Sequence, residues 1–223
     1  MLKKLIIAVD GPAGSGKSTT ARQLAQKLGY LYLDTGAMYR AFTLKILRKK
    51  IDHESPGALA KLAAQTEIKL IPNASGSRVY LDGEDVTDLI RTPEIDRIIS
   101  DVSRVKAVRE RMVTLQRKIG EHGGIVAEGR DIGTVVFPNA DVKIFLVASP
   151  QERARRRLKE LQAKGVSISL KEVLADIQRR DHIDSTREIS PLMKATDAIE
   201  VDTTNLTIEE QVEKIYRIIQ KFL

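Results

Sequence analysis

Gly11-Pro12-Ala13-Gly14-Ser15-Gly16-Lys17-Ser18-Thr19 contains the pattern G-x-x-x-x-G-K-[ST]. Glycines 11, 14 and 16 allow the positive dihedrals and close approach that aim successive backbone N–H groups at phosphate oxygens. Lys17 supplies a mobile point charge for β- and γ-phosphates, and the Ser18 hydroxyl can ligate a Mg²⁺ ion shared with them. The residues predict a nucleoside triphosphate cradle. They do not separate a kinase from a GTPase, a motor or a transporter subunit, so a second site must be sought.

Charged residues on inward-facing stripes are the places to look. Leu170, Val173, Leu174 and Ile177 share a helical face that continues to Arg180, Asp181 and Asp184, with Arg187 a turn further on. Charges on such a face must be paired or must meet a polar ligand, because an isolated buried charge is costly. An Arg180–Asp184 pair on a helix end that has emerged into water is the alternative. Arg109 falls in the stripe traced by Ile98, Val102, Val105, Met112 and Val113, unless Ser103-Arg104-Val105-Lys106 breaks the helix and turns its second half outward. Arg130 and Asp131 follow the apolar run 125–127, at the edge where open α/β sheets bind ligands. Thr35 can cap the next helix and Arg40 lies just past its first turn, which suits an anion; a capped junction with a solvated Arg is the plainer reading. Arg153, Arg156 and Arg157 occupy i, i+3 and i+4, as a solvated cluster or as mobile guanidiniums that close over a γ-phosphate. His53, His122 and His182 show no ligand pairing, and Tyr30, Tyr32, Tyr39 and Tyr80 read as packing residues.

These residues need a frame. Continuous apolar runs at 5–9, 125–127 and 142–147, weaker ones at 31–33 and 198–201, suggest strands buried on both faces of a parallel sheet. Helical patterns at 18–28, 37–47, 95–119, 151–164, 170–180 and 208–222 lie between them, giving a wound α/β architecture. Near 66–92 the rhythm breaks: runs at 68–71 and 79–81 flank a turn-rich stretch, and Asp82-Gly83 precedes a third short strand. This is a small antiparallel insertion on one domain, either functional or a surface hairpin.

Composition narrows the class. A 223-residue chain at 42% hydrophobic and 30% charged is globular rather than disordered or collagen-like. With no cysteine, disulfides, thiolate metal sites and cysteine nucleophiles are excluded. An uninterrupted run of only five apolar residues, 5–9, leads into Asp10, too short for a signal-peptide core, so a cytoplasmic location is the default. The net charge of +7 suits an anionic partner without naming it.

Taken in order, Ile-Ala-Val-Asp-Gly-Pro-Ala-Gly-Ser-Gly-Lys-Ser, Leu-Asp-Thr-Gly-Ala-Met-Tyr-Arg, the insertion, Gly-Arg-Asp-Ile-Gly-Thr, Val-Lys-Ile-Phe-Leu and Arg-Arg-Asp-His-Ile-Asp-Ser-Thr-Arg make the chain resemble, almost end to end, the bacterial cytidylate kinases. These belong to the P-loop nucleoside monophosphate kinases. The resemblance implies one three-layer α/β P-loop domain over 1–223, with a central parallel sheet of about five strands, the β insertion and an Arg-rich helical lid at about 150–187. It implies transfer of the γ-phosphoryl group from Mg-ATP to CMP or dCMP. Residues 11–19 would hold ATP, with Ser18 toward Mg²⁺. Thr35, Arg40, Arg130 and Arg187 would grip the CMP phosphate, Arg180 and Asp184 the ribose, and Ser100, Arg109 and Asp131 the cytosine. Lys17, Arg130, Arg153, Arg157 and Arg187 would neutralise charge during transfer. Position 35 is Thr where some relatives have Ser, and position 128 is Glu where an Asp often follows the third core strand.

A monomer acting on small nucleotides, without nucleic acid or membrane partners, is expected. Adenylate kinase is the nearest rival, but the insertion and the Gly-Arg-Asp-Ile-Gly-Thr run point away from it. A regulatory GTPase would carry Asn-Lys-x-Asp, which this sequence lacks. A nucleic-acid-binding ATPase would use the positive charge, yet no stacking motif supports it.

Overall fold

A computed structural model describes residues 4–73, 76–163 and 165–223. The expected hairpin tip at 74–75 and Lys164, expected to end a helix, lie outside the described residues. In chain order the first elements are β1 (Ile6–Asp10), α1 (Lys17–Leu28), β2 (Leu31–Asp34), α2 (Thr35–Arg48) and α3 (Pro56–Ala64). Strands β3 (Ile68–Asn73), β4 (Gly76–Leu81) and β5 (Glu84–Asp85) follow, then α4 (Pro93–Arg104), α5 (Lys106–Ile119) and β6 (Ile125–Gly129). A single π-type turn, Ile132–Val136, precedes β7 (Val142–Val147), α6 (Pro150–Ala163), α7 (Leu170–Thr186), β8 (Ile199–Asp202) and α8 (Ile208–Ile219).

Five strands form one parallel sheet in the order β2-β6-β1-β7-β8. The inner strands β1 and β6 and most of β7 are apolar because both faces are covered, whereas in the edge strand β8 only Val201 is buried. Ile7, Val9, Val126, Ile144 and Leu146 pack with Leu24 of α1 and Ile215 of α8. Ala8, Leu33, Ile125 and Ala127 pack on the other face with Phe42 of α2, Leu59 of α3 and Met112 of α5. The three-layer α/β reading holds.

Strands β3, β4 and β5 make a separate antiparallel sheet at the expected place. It is not a surface hairpin. Ile68, Leu70, Val79 and Leu81 are buried in the same core as α2 and β2, and Ser77 Oγ donates a 2.7 Å bond to the Tyr32 carbonyl.

Some elements differ from expectation. Helix α3 starts with Pro56 in its first turn, directly after Ser55. The single helix expected over 95–119 is two, because Val105 takes an extended conformation at ψ 122°. The second half nevertheless stays inward, with Arg109 and Met112 buried. Helix α7 runs past 180 to Thr186, secured at its start by a Ser169–Glu172 capping box. It pairs with α6 around a small core of Ala154, Val173 and Ile177. Among the described residues no helix is long and apolar enough to cross a membrane.

Candidate active site

The carboxyl ends of three adjacent strands set the site, since pairing places Asp34 opposite Glu128 and Asp10 opposite Gly129. Asp10 accepts 2.8 Å hydrogen bonds from the backbone N–H groups of Ile132 and Gly133. The glycine-rich loop and the turn after Arg130-Asp131 therefore share one anchor. Burial pushes the Asp10 carboxyl up to about 6, against the lowering effect of those two N–H donors.

Gly11, Gly14 and Gly16 all take positive φ. Gly11 is the most constrained: at φ 154° an added Cβ would stand 2.4 Å from the Leu146 carbonyl oxygen. Helix α1 then begins with neither a capping side chain nor an acidic residue in its first turn, so its positive end is left for an anion. Lys17 is buried, and its Nζ donates to the Pro12 carbonyl at 2.9 Å. Burial, and next the charge of Arg130, pull its pKa down to about 7.

Glu128 faces this cradle from β6. It accepts hydrogen bonds from Ser18 Oγ at 2.8 Å and from Tyr32 Oη, and burial followed by the charge of Asp34 pushes its pKa up. A hydroxyl beside a carboxylate is a hard oxygen donor set, which suits Mg²⁺. Among the described residues no group of three or more His, Cys, Asp or Glu could hold a metal alone. An ion at Ser18 would need oxygens from a bound phosphate, and the donors present fit that arrangement.

A second cluster lies beside the first. Arg109 Nη2 donates to Asp131 within the core, Arg187 lies 3.8 Å from Asp131 and 3.9 Å from Asp184, and Asp184 accepts from Arg130 Nε at 2.7 Å. Charges thus alternate from Arg109 through Asp131, Arg187 and Asp184 to Arg130, whose charge acts on Lys17. Burial holds the Arg187 pKa below its usual value, and Arg109 lowers it further. Tyr39 stands alongside, its ring 5.6 Å from the Arg109 guanidinium carbon. Tyr39 Oη, Arg109 Nε and Arg187 Nη2 are buried without hydrogen-bond partners. Three orphaned polar atoms around one carboxylate mark a place built for a polar ligand.

The alternative Arg180–Asp184 pair does not form: Asp184 turns to Arg130, while Arg180 pairs with Asp176 at 2.9 Å. Thr35 is not the cap expected of it. Asp34 caps α2 by accepting from Ala37 N at 2.8 Å, so Thr35 is the first helical residue and its hydroxyl donates to the Glu128 carbonyl at 2.6 Å. The α6 arginines do not act as one face. Arg153 is buried, donating to the Ala148 and Ala13 carbonyls and to both Asp181 oxygens. Arg156 bonds Thr203 and Glu152, and Arg157 bonds Asp96 and Glu160. Ser100 sits in the last turns of α4 and its carbonyl accepts from Ser103 Oγ at 3.1 Å.

Residues 7–221 match the family model described as cytidylate kinase. The chain belongs to the cytidylate kinase family. A cytidylate kinase of Carboxydothermus hydrogenoformans is 54% identical over 213 residues, covering 96% of each chain. One from Enterococcus faecalis is 52% identical over 218 residues, 98% of this chain and 96% of that one. One from Bacillus subtilis is 49% identical over 221 residues, 99% of both. An uncharacterized protein from Eubacterium ventriosum shares the fold alone, with TM-score 0.51 at 14% identity over 97% of this chain and 99% of that one.

Within this member of the cytidylate kinases, sequence reasoning missed Asp10, Tyr32 and Asp96. Asp10 closes the first strand of the motif, so its position was visible but its bonds to Ile132 and Gly133 were not. Tyr32, read as packing, uses its hydroxyl on Glu128, and Asp96 gave no signal among the acidic residues of a helix start.

Proposed function

We propose that this chain transfers the γ-phosphoryl group of Mg-ATP to CMP or dCMP, giving ADP and the corresponding diphosphate. The observation that carries the reading is the buried Arg109–Asp131 pair beside a P-loop, with unpartnered polar atoms around it. Cytosine donates from its N4 amino group and accepts at N3 and O2, so a carboxylate and a guanidinium complement it, whereas uracil reverses the pattern at N3 and position 4.

Residues 11–19 hold the triphosphate in this reading. Thr35, Arg40, Arg130 and Arg187 take the acceptor phosphate, Arg180 and Asp184 the ribose, and Ser100, Arg109 and Asp131 the base. Ser18 would hold Mg²⁺ with phosphate oxygens, and the ion when bound neutralises charge on the phosphates. The acceptor oxygen is already anionic, so no strong general base is needed and positioning with charge neutralisation dominates. Lys17, Arg130, Arg153, Arg157 and Arg187 supply that charge. The segment 150–187 acts as a lid that excludes water once both substrates are present, with Arg153 already fixed against the P-loop carbonyl of Ala13.

Dependence on ATP and the absence of cysteine support a cytoplasmic enzyme, and we expect a monomer. The test is ADP release with CMP, dCMP, UMP, AMP and shikimate at fixed Mg²⁺ and salt. CMP and dCMP should be the favoured acceptors. Preference for AMP or shikimate would overturn the reading.

A further inference from the structure

Arginines from three helices meet at one residue of α4, Asp96, that the reading above leaves without a role. Arg40 of α2 donates to Asp96 Oδ1, Arg157 of α6 donates to Asp96 Oδ2 at 3.2 Å, and Arg180 of α7 donates to the Asp96 carbonyl at 3.2 Å. Asp96 stands in the first turn of α4 with its side chain only 20% exposed. An acidic residue there favours the helix dipole, but exposed Glu94 in the same turn meets that need.

The charges explain what Asp96 does. Without it, Arg40, Arg157 and Arg180 would repel one another at close range. Arg180 registers that repulsion, its pKa lowered by burial first and then by Arg157 and Arg40 against the pull of Asp176 and Asp96. Burial alone would raise the Asp96 pKa, yet Arg40, Arg180 and Arg157 hold it below the usual carboxylate range. Arg157 also meets Glu160 at 3.1 Å and Arg180 meets Asp176 at 2.9 Å, so the three guanidiniums face three carboxylates and Asp96 sets their placement rather than a surplus of charge. Arg157 comes from α6 and Arg40 from α2, so the contact ties both helices to α4.

We propose that Asp96 is a positioning residue for phosphoryl transfer, its carboxylate holding Arg40 and Arg157 in place so that Arg40 is preset for the acceptor phosphate. This rests on the assignment of Arg40 to that phosphate. Asp96 acts through the arginines and does not touch the substrate.

The test compares Asp96→Asn, Asp96→Glu, Arg40→Ala and the Arg40→Ala/Asp96→Asn double variant in steady-state kinetics. Asp96→Asn should raise KM for CMP about tenfold, the loss of one charge-assisted contact, with KM for ATP held within about twofold. Asp96→Glu restores the charge and should bring KM for CMP back to within about threefold of the parent. In the Arg40→Ala background the Asp96→Asn effect should shrink at least about threefold, because part of its route is gone. An unchanged or lowered KM for CMP in folded Asp96→Asn, or an undiminished effect in the double variant, overturns the proposal. Should Asp96→Asn fail to fold, the Asp96→Glu variant decides: KM for CMP near parental supports positioning, and a rise in CMP and ATP constants alike overturns it. If CMP is no acceptor for the parent, or Arg40→Ala leaves its KM unchanged, the underlying reading fails instead.

Discussion

In the proposed reaction, Lys17 and Asp131 are the side chains that matter most. Lys17 is buried against the cost of its charge, with its pKa down near 7. Lys17→Ala should therefore keep the fold, seen as an unchanged melting transition, and lose about 10³ in kcat through the missing charge. Asp131 neutralises Arg109 inside the protein. Asp131→Ala should abolish the preference for CMP over UMP in ADP-release assays. It should also cost on the order of 3 kcal/mol in urea unfolding, because Arg109 is left buried and unpaired. The sequence pattern located Arg109, Arg180, Asp184 and Arg187 because helical spacing is local. Their partners were not legible: Arg180 chose Asp176 over Asp184, and Asp96 became visible only once α2, α6 and α7 were in place around it.

Strands and helices were easier to read than the joints between them. The inner strands announced themselves by apolar runs and β2 and β8 more weakly, but the break at Val105 and the π-type turn at Ile132–Val136 depend on tertiary bonding. That turn hangs on Asp10, which gives a measurable pH signature. Its carboxyl ionises near 6 in the fold and near 3.8 when unfolded. Between these values the native state holds a proton that the unfolded chain has released, so stability falls as pH rises through the window. The contribution is intact below about 3.8 and gone above about 6, on the order of 3 kcal/mol for two units. Asp10→Asn lacks this titration. Urea midpoints taken from pH 4 to 6.5 should show the variant gaining on the parent by about that amount, and parallel profiles would refute it.

At the scale of the whole chain, the insertion is structural as well as peripheral. Ile68, Leu70, Val79, Leu81 and Val86 complete the core formed by α2, α3 and α5. Deleting residues 67–87 should leave no cooperative thermal transition, since several buried apolar side chains are lost together at about 1.5–3 kcal/mol each. A trimmed chain that melts sharply and binds ATP would contradict this. The extra strands were foreseeable from turn chemistry, but their union with the main core was not, because nothing local specifies which surface a hairpin covers.

The pairing of Asp10 with Gly129 carries a last consequence. In the proposed reaction one strand leads into the donor loop and its immediate neighbour into the acceptor loop, so their separation is tied to a single interstrand interval of about 4.8 Å. Slipping that ladder by one residue would offset the two by about 3.3 Å, comparable with the roughly 3–3.5 Å that separates atoms poised to react. On that reading the backbone ladder serves as a gauge block: the bond-making distance is machined into the sheet, and side chains need only trim it.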